Sequence, residues 1–97
     1  MMKNLYLVCY DIMDGKRLGS IYKLMKGFGE HVQYSVFKCR LAPKERVMLK
    51  IALLEVINQR EDKVMIINLG TANETSEERI EMLGLHEKLG NDSATVV

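Results

Sequence analysis

Leu5-Tyr6-Leu7-Val8-Cys9-Tyr10-Asp11-Ile12 decides the fold. Leu5 to Tyr10 are apolar or aromatic without a break, and a carboxylate follows them. So short a run of strong β-formers predicts a strand buried on both faces, hence a central one. A central strand that ends in Asp places a charge where the core meets solvent. Two readings of Asp11 stand at this point: it opens a turn, or it does chemistry at the rim of a sheet.

The residues on either side supply the rest of the architecture. Asp14-Gly15 marks a turn, with Asp14 placed to cap a helix. That helix is expected from about Lys16 to Phe28, because Leu18, Ile21, Tyr22, Met25 and Phe28 recur at helical spacing. Lys16 and Arg17 fall in its first turn, where the helix dipole disfavours cations. They are either simply solvated or held ready for an anion near Asp11. In residues 31–41, Val32, Tyr34 and Val36 alternate as in a strand, and Phe37 breaks the alternation. A bulge or a tight reversal near Ser35 accounts for the break. One bent strand and two short strands both remain open, since the centre lacks the Gly or Asn-Gly of a good hairpin.

Pro43 suits the first position of a second helix, running to about Gln59. Val47, Met48, Ile51, Ala52 and Leu54 are read as its core face, and Leu49, Leu53, Val56 and Ile57 widen the apolar surface beyond one face. The excess suits a protein contact. Val64 to Leu69 is a second buried strand, with Gly70 as its end. Strand, helix, extended segment, helix, strand, joined by right-handed crossovers, predicts an α+β fold. Its form is a ferredoxin-like βαββαβ sandwich, an antiparallel sheet with two helices on one face.

Composition narrows the function. The 97 residues suffice for one domain with a modest core. A net charge of +1 means that any nucleic-acid site must come from local clustering or from pairing of subunits. No apolar run approaches the ~18 residues of a membrane span, and no signal peptide is visible. Cys9 and Cys39 read as reduced, buried thiols of a cytoplasmic protein. His31 and His86 have no partner at metal-ligand spacing.

Several signals then occur in a fixed order: Tyr10-Asp11-Ile12 closing the first strand, Asp14, Lys16 and Arg17 opening a helix, Gly29, and Val32-Gln33-Tyr34-Ser35-Val36-Phe37. Over residues 3–70 this resembles the CRISPR-associated protein 2 family, the small partner in spacer acquisition. The resemblance implies a homodimer with an Asp11 on each side of the dyad. It also implies nucleic acid, DNA or RNA, as ligand and CRISPR-associated protein 1 as partner. Family members have been described as metal-dependent nucleases, so Asp11 becomes the expected catalytic residue and Mg²⁺ ligand. Magnesium keeps several waters and is often held by only one or two carboxylates, so two copies of Asp11 would be adequate. Ser35 joins Asp11 as a catalytic candidate, donating a hydrogen bond. Lys16 and Arg17 are the nucleic-acid-binding candidates, and Tyr10 and Phe37 are expected to shape the pocket. Lys38 stands where the family often has an acidic residue.

The expected function is a homodimeric core of the spacer-acquisition complex, with possible endonuclease activity. A toxin-type ribonuclease of the VapD kind on the same fold is the alternative. Residues 1–70 form the expected core and residues 71–97 an extension. Within the extension, Thr75 and Glu78 suggest a capped helix. The resemblance instead implies a strand at about 79–83 added to the partner's sheet, with a mobile end at 90–97. The strand is the expectation taken forward.

Overall fold

The computed structural model describes residues 2–85. Strand β1 (Asn4–Asp11) is followed by helix α1 (Gly15–Lys26), strands β2 (Glu30–Gln33) and β3 (Val36–Leu41), helix α2 (Pro43–Val56) and strand β4 (Lys63–Thr71). A short 3₁₀ helix, Ser76–Arg79, comes last. The strands form one antiparallel sheet in the order β2-β3-β1-β4. This is the expected ferredoxin-like βαββαβ arrangement.

β1 lies between β3 and β4, and alternate residues serve opposite faces. Tyr6, Val8 and Tyr10 face the helices and join Ile21 and Met25 of α1 and Leu49 and Leu53 of α2 in the core. Leu5, Leu7, Cys9 and Asp11 face the other way, beside Lys63, Met65 and Ile67 of β4. Leu5 and Val8 are both fully buried, one on each side of the sheet. β1 is therefore buried on its helix face, whereas on the other face only Leu5 is buried and Leu7 and Cys9 stay partly open, so the expectation of burial on both faces holds at one end of the strand alone.

Residues 31–41 form parts of two strands. β2 and β3 are joined by the two-residue turn Tyr34-Ser35, and Tyr34 takes a left-handed φ of 36°. Turn chemistry favours Asn or Gly there, which is why the sequence left the hairpin open. The turn is held from outside: the Tyr10 amide donates to the Ser35 carbonyl at 3.0 Å, and His31 Nε2 lies 2.6 Å from the Tyr34 carbonyl oxygen.

Three expectations need correction. α2 turns its other face to the core: Leu49 and Leu53 are buried, while Val47, Met48, Ile51 and Leu54 are exposed. The rod is apolar nearly all round, so periodicity had no polar side from which to orient it. β4 continues through Gly70 to Thr71. Its register with β1 shifts between Asn4 and Tyr6, and Gly70 takes a φ of 91° beside that shift. Glycine lets the strand bulge there and continue.

The third correction concerns the expected strand at 79–83. Arg79 belongs to the 3₁₀ helix Ser76–Arg79, so it is not the start of a strand; Ile80 after it is extended and residues 80–83 pair with no strand of their own chain. This segment folds back on its own sheet. Glu77 bonds Lys38 at 2.6 Å and also engages Arg40, both on the face opposite the helices. Arg79 donates to the carbonyls of Leu69 and Thr71 at 3.1 and 2.9 Å. These bonds hold the 3₁₀ helix over the sheet end where Leu5 is buried. The expected mobile end at 90–97 and His86 lie outside the described residues.

Candidate active site at the end of the central strand

Asp11 is the last residue of β1 and is exposed. Across the ladder it faces Lys63, the first residue of β4, and both line a cavity of about 280 Å³ with Cys9, Tyr10 and Met65. Among the described residues no ion pair engages Asp11. A carboxylate with open coordination thus sits at the rim of an apolar sheet face, on which Met65 is 57% exposed.

Lys16 and Arg17 open α1, as the sequence suggested, but they differ in kind. Asp14 caps the helix, its Oδ2 accepting from the Arg17 amide at 3.0 Å. The Arg17 side chain is tied down: Nε donates to Asp62 Oδ2 at 2.8 Å, and Nη2 donates to Glu61 Oε1 at 2.9 Å. Lys16 is exposed, with no ion pair among the described residues.

Asp62 is the fixed point of this region. Its side chain is wholly screened from solvent. Besides Arg17 it accepts from the amides of Met13 and Asn58 at 2.9 and 2.8 Å. One carboxylate therefore joins the loop after β1, the first turn of α1 and the turn before β4. The Arg17 guanidinium, aided by the two amides, holds the Asp62 carboxyl well below the usual carboxylate range and raises that of Arg17. A depressed carboxylate pKa contributes stability that is fully present above the unfolded-state value, near 4. It is lost as pH falls through the folded-state value. Asp62→Asn should therefore be less stable than the native chain at neutral pH, with the gap closing below about pH 4. Urea melts at both pH values check this, and a gap constant with pH would refute it.

Ser35 does not meet Asp11 within the chain. Its carbonyl accepts from the Tyr10 amide, and it lines a second cavity on the helix side of the sheet with Tyr10, Tyr22 and Tyr34. Tyr10 is the one residue common to both cavities. Its burial raises the phenol pKa, and the neighbouring Ser35 side chain works against that rise, so Tyr10 stays protonated at neutral pH. Phe37 is fully buried and stacks beneath Tyr10, with ring centroids 6.3 Å apart. It shapes the site from below and touches neither cavity. Burial pushes the Cys39 thiol up to about 11, and both cysteines are free; Cys39 is an inert core residue.

The sequence reading missed Asp62 and Lys63. Both stand between the second helix and the second buried strand read from the sequence, and neither spacing nor composition ties them to residues 11–17. Only the β1–β4 register and the chain reversal after α2 bring them there.

No group of three or more His, Cys, Asp or Glu residues suited to a metal occurs among the described residues. One chain offers Asp11 alone, a hard oxygen donor suited to magnesium but too few by itself. Among the described residues no helix is long and apolar enough to cross a membrane.

The family model described as CRISPR associated protein Cas2 matches residues 2–76, a span that holds both helices and all four strands and stops at the first residue of the 3₁₀ helix. A CRISPR-associated endoribonuclease Cas2 of Thermodesulfovibrio yellowstonii is 48% identical over 68 residues, covering 70% of this chain and 75% of the relative. The crystal structure of Streptococcus pyogenes Cas2 at pH 6.5 superposes with a TM-score of 0.70 at 32% identity, covering 82% of this chain and 99% of that one. A chain of a partial Cas6-RT-Cas1–Cas2 complex shares the fold, with a TM-score of 0.67 at 24% identity over 82% of this chain and 90% of that one. The likeness runs through the strand that carries Asp11, the helix behind it and the hairpin beside it, and on that ground the chain belongs to the CRISPR associated protein Cas2 family.

Proposed function

We propose that the chain acts in CRISPR spacer acquisition. In this reading it is a cytoplasmic homodimer that holds nucleic acid and docks to CRISPR-associated protein 1, with a phosphodiester-cleaving centre at Asp11. The observation that carries the reading is Asp11 itself, an unpaired carboxylate at the rim of a partly uncovered apolar sheet face. A second copy packed on that face would cover Met65 and bring a second Asp11 to the rim. Two carboxylates suit Mg²⁺, which when bound activates water and neutralises phosphate charge. The chain's own residues supply the rest: Asp11 binds and orients, Lys63 adds positive charge beside it, and the Ser35 carbonyl holds the Tyr10 amide at the edge of the cavity.

Assembly has its own support. The exposed α2 stripe of Val47, Met48, Ile51 and Leu54 offers a partner surface. One solved chain of the same fold comes from a complex that includes Cas1.

An acquisition assay with CRISPR-associated protein 1 tests the proposal. Acquisition should survive Asp11→Ala, because holding DNA needs no chemistry there. Lys16→Ala should weaken DNA binding and lower its salt slope by about 0.9 for each phosphate that is no longer neutralised. Arg17 belongs to the same basic pair, but removing it would also leave Asp62 buried and uncompensated. Lys16 is therefore the cleaner probe. Loss of acquisition in a folded Asp11→Ala dimer would show that the carboxylate is required. An unchanged salt slope for Lys16→Ala would place the phosphate-binding groups elsewhere.

A further inference from the structure

The cavity on the helix side of the sheet measures about 470 Å³, within the ~300–1,000 Å³ range of small-ligand sites. Tyr10, Tyr22 and Tyr34 line it with Leu18 and Ser35. Its α1 wall is bare at Gly15 and Gly19, where an added Cβ would meet nothing within 4 Å. A flat group can therefore lie against helix backbone on one side and aromatic rings on the other. Ser35 and the tyrosine hydroxyls supply donors and acceptors at the edge.

Tyr34 sets this cavity apart from an ordinary surface groove. Its ring is 90% exposed, and its backbone holds a φ of 36°. A bulky side chain in that region is an outlier, and the ring recovers none of the strain through burial. Strain of this kind clusters where a side chain serves a ligand.

Charge completes the picture. Helix α1 carries Lys16, Arg17, Lys23 and Lys26 and no carboxylate. Arg17 is neutralised by Asp62 and Glu61, but Lys16, Lys23 and Lys26 have no ion pair among the described residues. They share a helical stripe with Gly19, next to the one that bears Gly15, Leu18 and Tyr22. Lys26 also lies 5.5 Å from the Tyr22 ring centroid. From Lys16 to Lys26 the stripe spans about 15 Å at the helical rise, long enough for more than one phosphate.

We infer that this cavity binds an unpaired nucleobase of a single strand, stacked on Tyr34, with the strand's phosphates running along Lys16, Lys23 and Lys26. The inference rests on the proposed nucleic-acid function and adds a site to it, on the opposite side of the sheet from Asp11. A base inside a duplex keeps its faces stacked on its neighbours, so the site selects strands or ends whose bases are free.

The test measures anisotropy of labelled oligonucleotides with the full chain, in EDTA to prevent cleavage. The probes are one short sequence as RNA and as DNA, the same strands carrying abasic sites, and a blunt duplex. Tyr34→Gly removes the ring and relaxes the backbone, so it should raise Tm while weakening single-strand binding about tenfold, the loss of one base–aromatic stack. Tyr34→Phe should keep the native affinity, and abasic strands should bind the native chain as weakly as intact strands bind Tyr34→Gly. Whichever intact strand binds more tightly identifies the source of the base. Native affinity in Tyr34→Gly, or equal binding of abasic and intact strands, overturns the inference while leaving a nucleic-acid function standing. Absence of binding to every probe overturns both.

Discussion

Asp11→Asn is expected to lower metal-dependent phosphodiester cleavage by roughly 100-fold or more, the scale on which a positioned acid–base or metal-holding carboxylate acts. The substitution keeps the shape and removes the charge. Asp11 is exposed at the end of β1, and no ion pair engages it among the described residues. Stability should therefore stay within about 0.5 kcal/mol of the native chain, as for other surface changes away from special features. Nucleic-acid binding should persist or tighten, since a negative charge leaves the rim. Cleavage by purified Asp11→Asn at the native rate would put the activity at another residue.

Gly29→Ala should have the largest effect on folding. A Cβ at Gly29 would lie 2.3 Å from the Lys38 carbonyl oxygen and 2.5 Å from Cys39 Sγ. The first is β3 backbone held in the sheet, and the second is a fully buried side chain. Neither can yield without moving the central ladder. Overpacking of this kind costs about 3 kcal/mol, the upper end of its usual range, which lowers Tm by roughly 12–24 °C in a domain of this size. Gly19→Ala is the counterpart. It sits in a helix with open space around it, so the same change should stabilise by about 0.4–1 kcal/mol. Thermal melts that show both substitutions neutral would mean that the α1–β2 junction is not packed as described.

Where the sequence could be read, local chemistry and long-range packing agreed. β1 announced itself because its apolar run is paired on both edges by β3 and β4, its helix face is buried and Leu5 is buried on the other. Asp14 and Pro43 sit at the starts of the two helices because capping and proline geometry are local properties. Where the reading failed, the deciding interaction came from far along the chain. Arg17 looked like a free cation, but Asp62 arrives beside it only through the fold. The tail pattern placed Arg79 in a strand, and it ends a 3₁₀ helix that Glu77 ties to Lys38 and Arg40 across the sheet. α2 carried too many apolar residues to show its buried side. Asp11 was singled out from its place at the end of β1 together with the hairpin block, whereas Tyr34 was read only as part of an alternating strand. Its ring stands in solvent because the chain reverses there without glycine.

The most direct test of the Asp11 centre is the stoichiometry of magnesium or manganese binding to the purified chain by calorimetry. If two Asp11 carboxylates hold one ion across a dyad, the native chain binds one ion per two chains, and Asp11→Asn binds none. One ion per chain, or binding that survives Asp11→Asn, would contradict a shared metal centre at the end of the central strand.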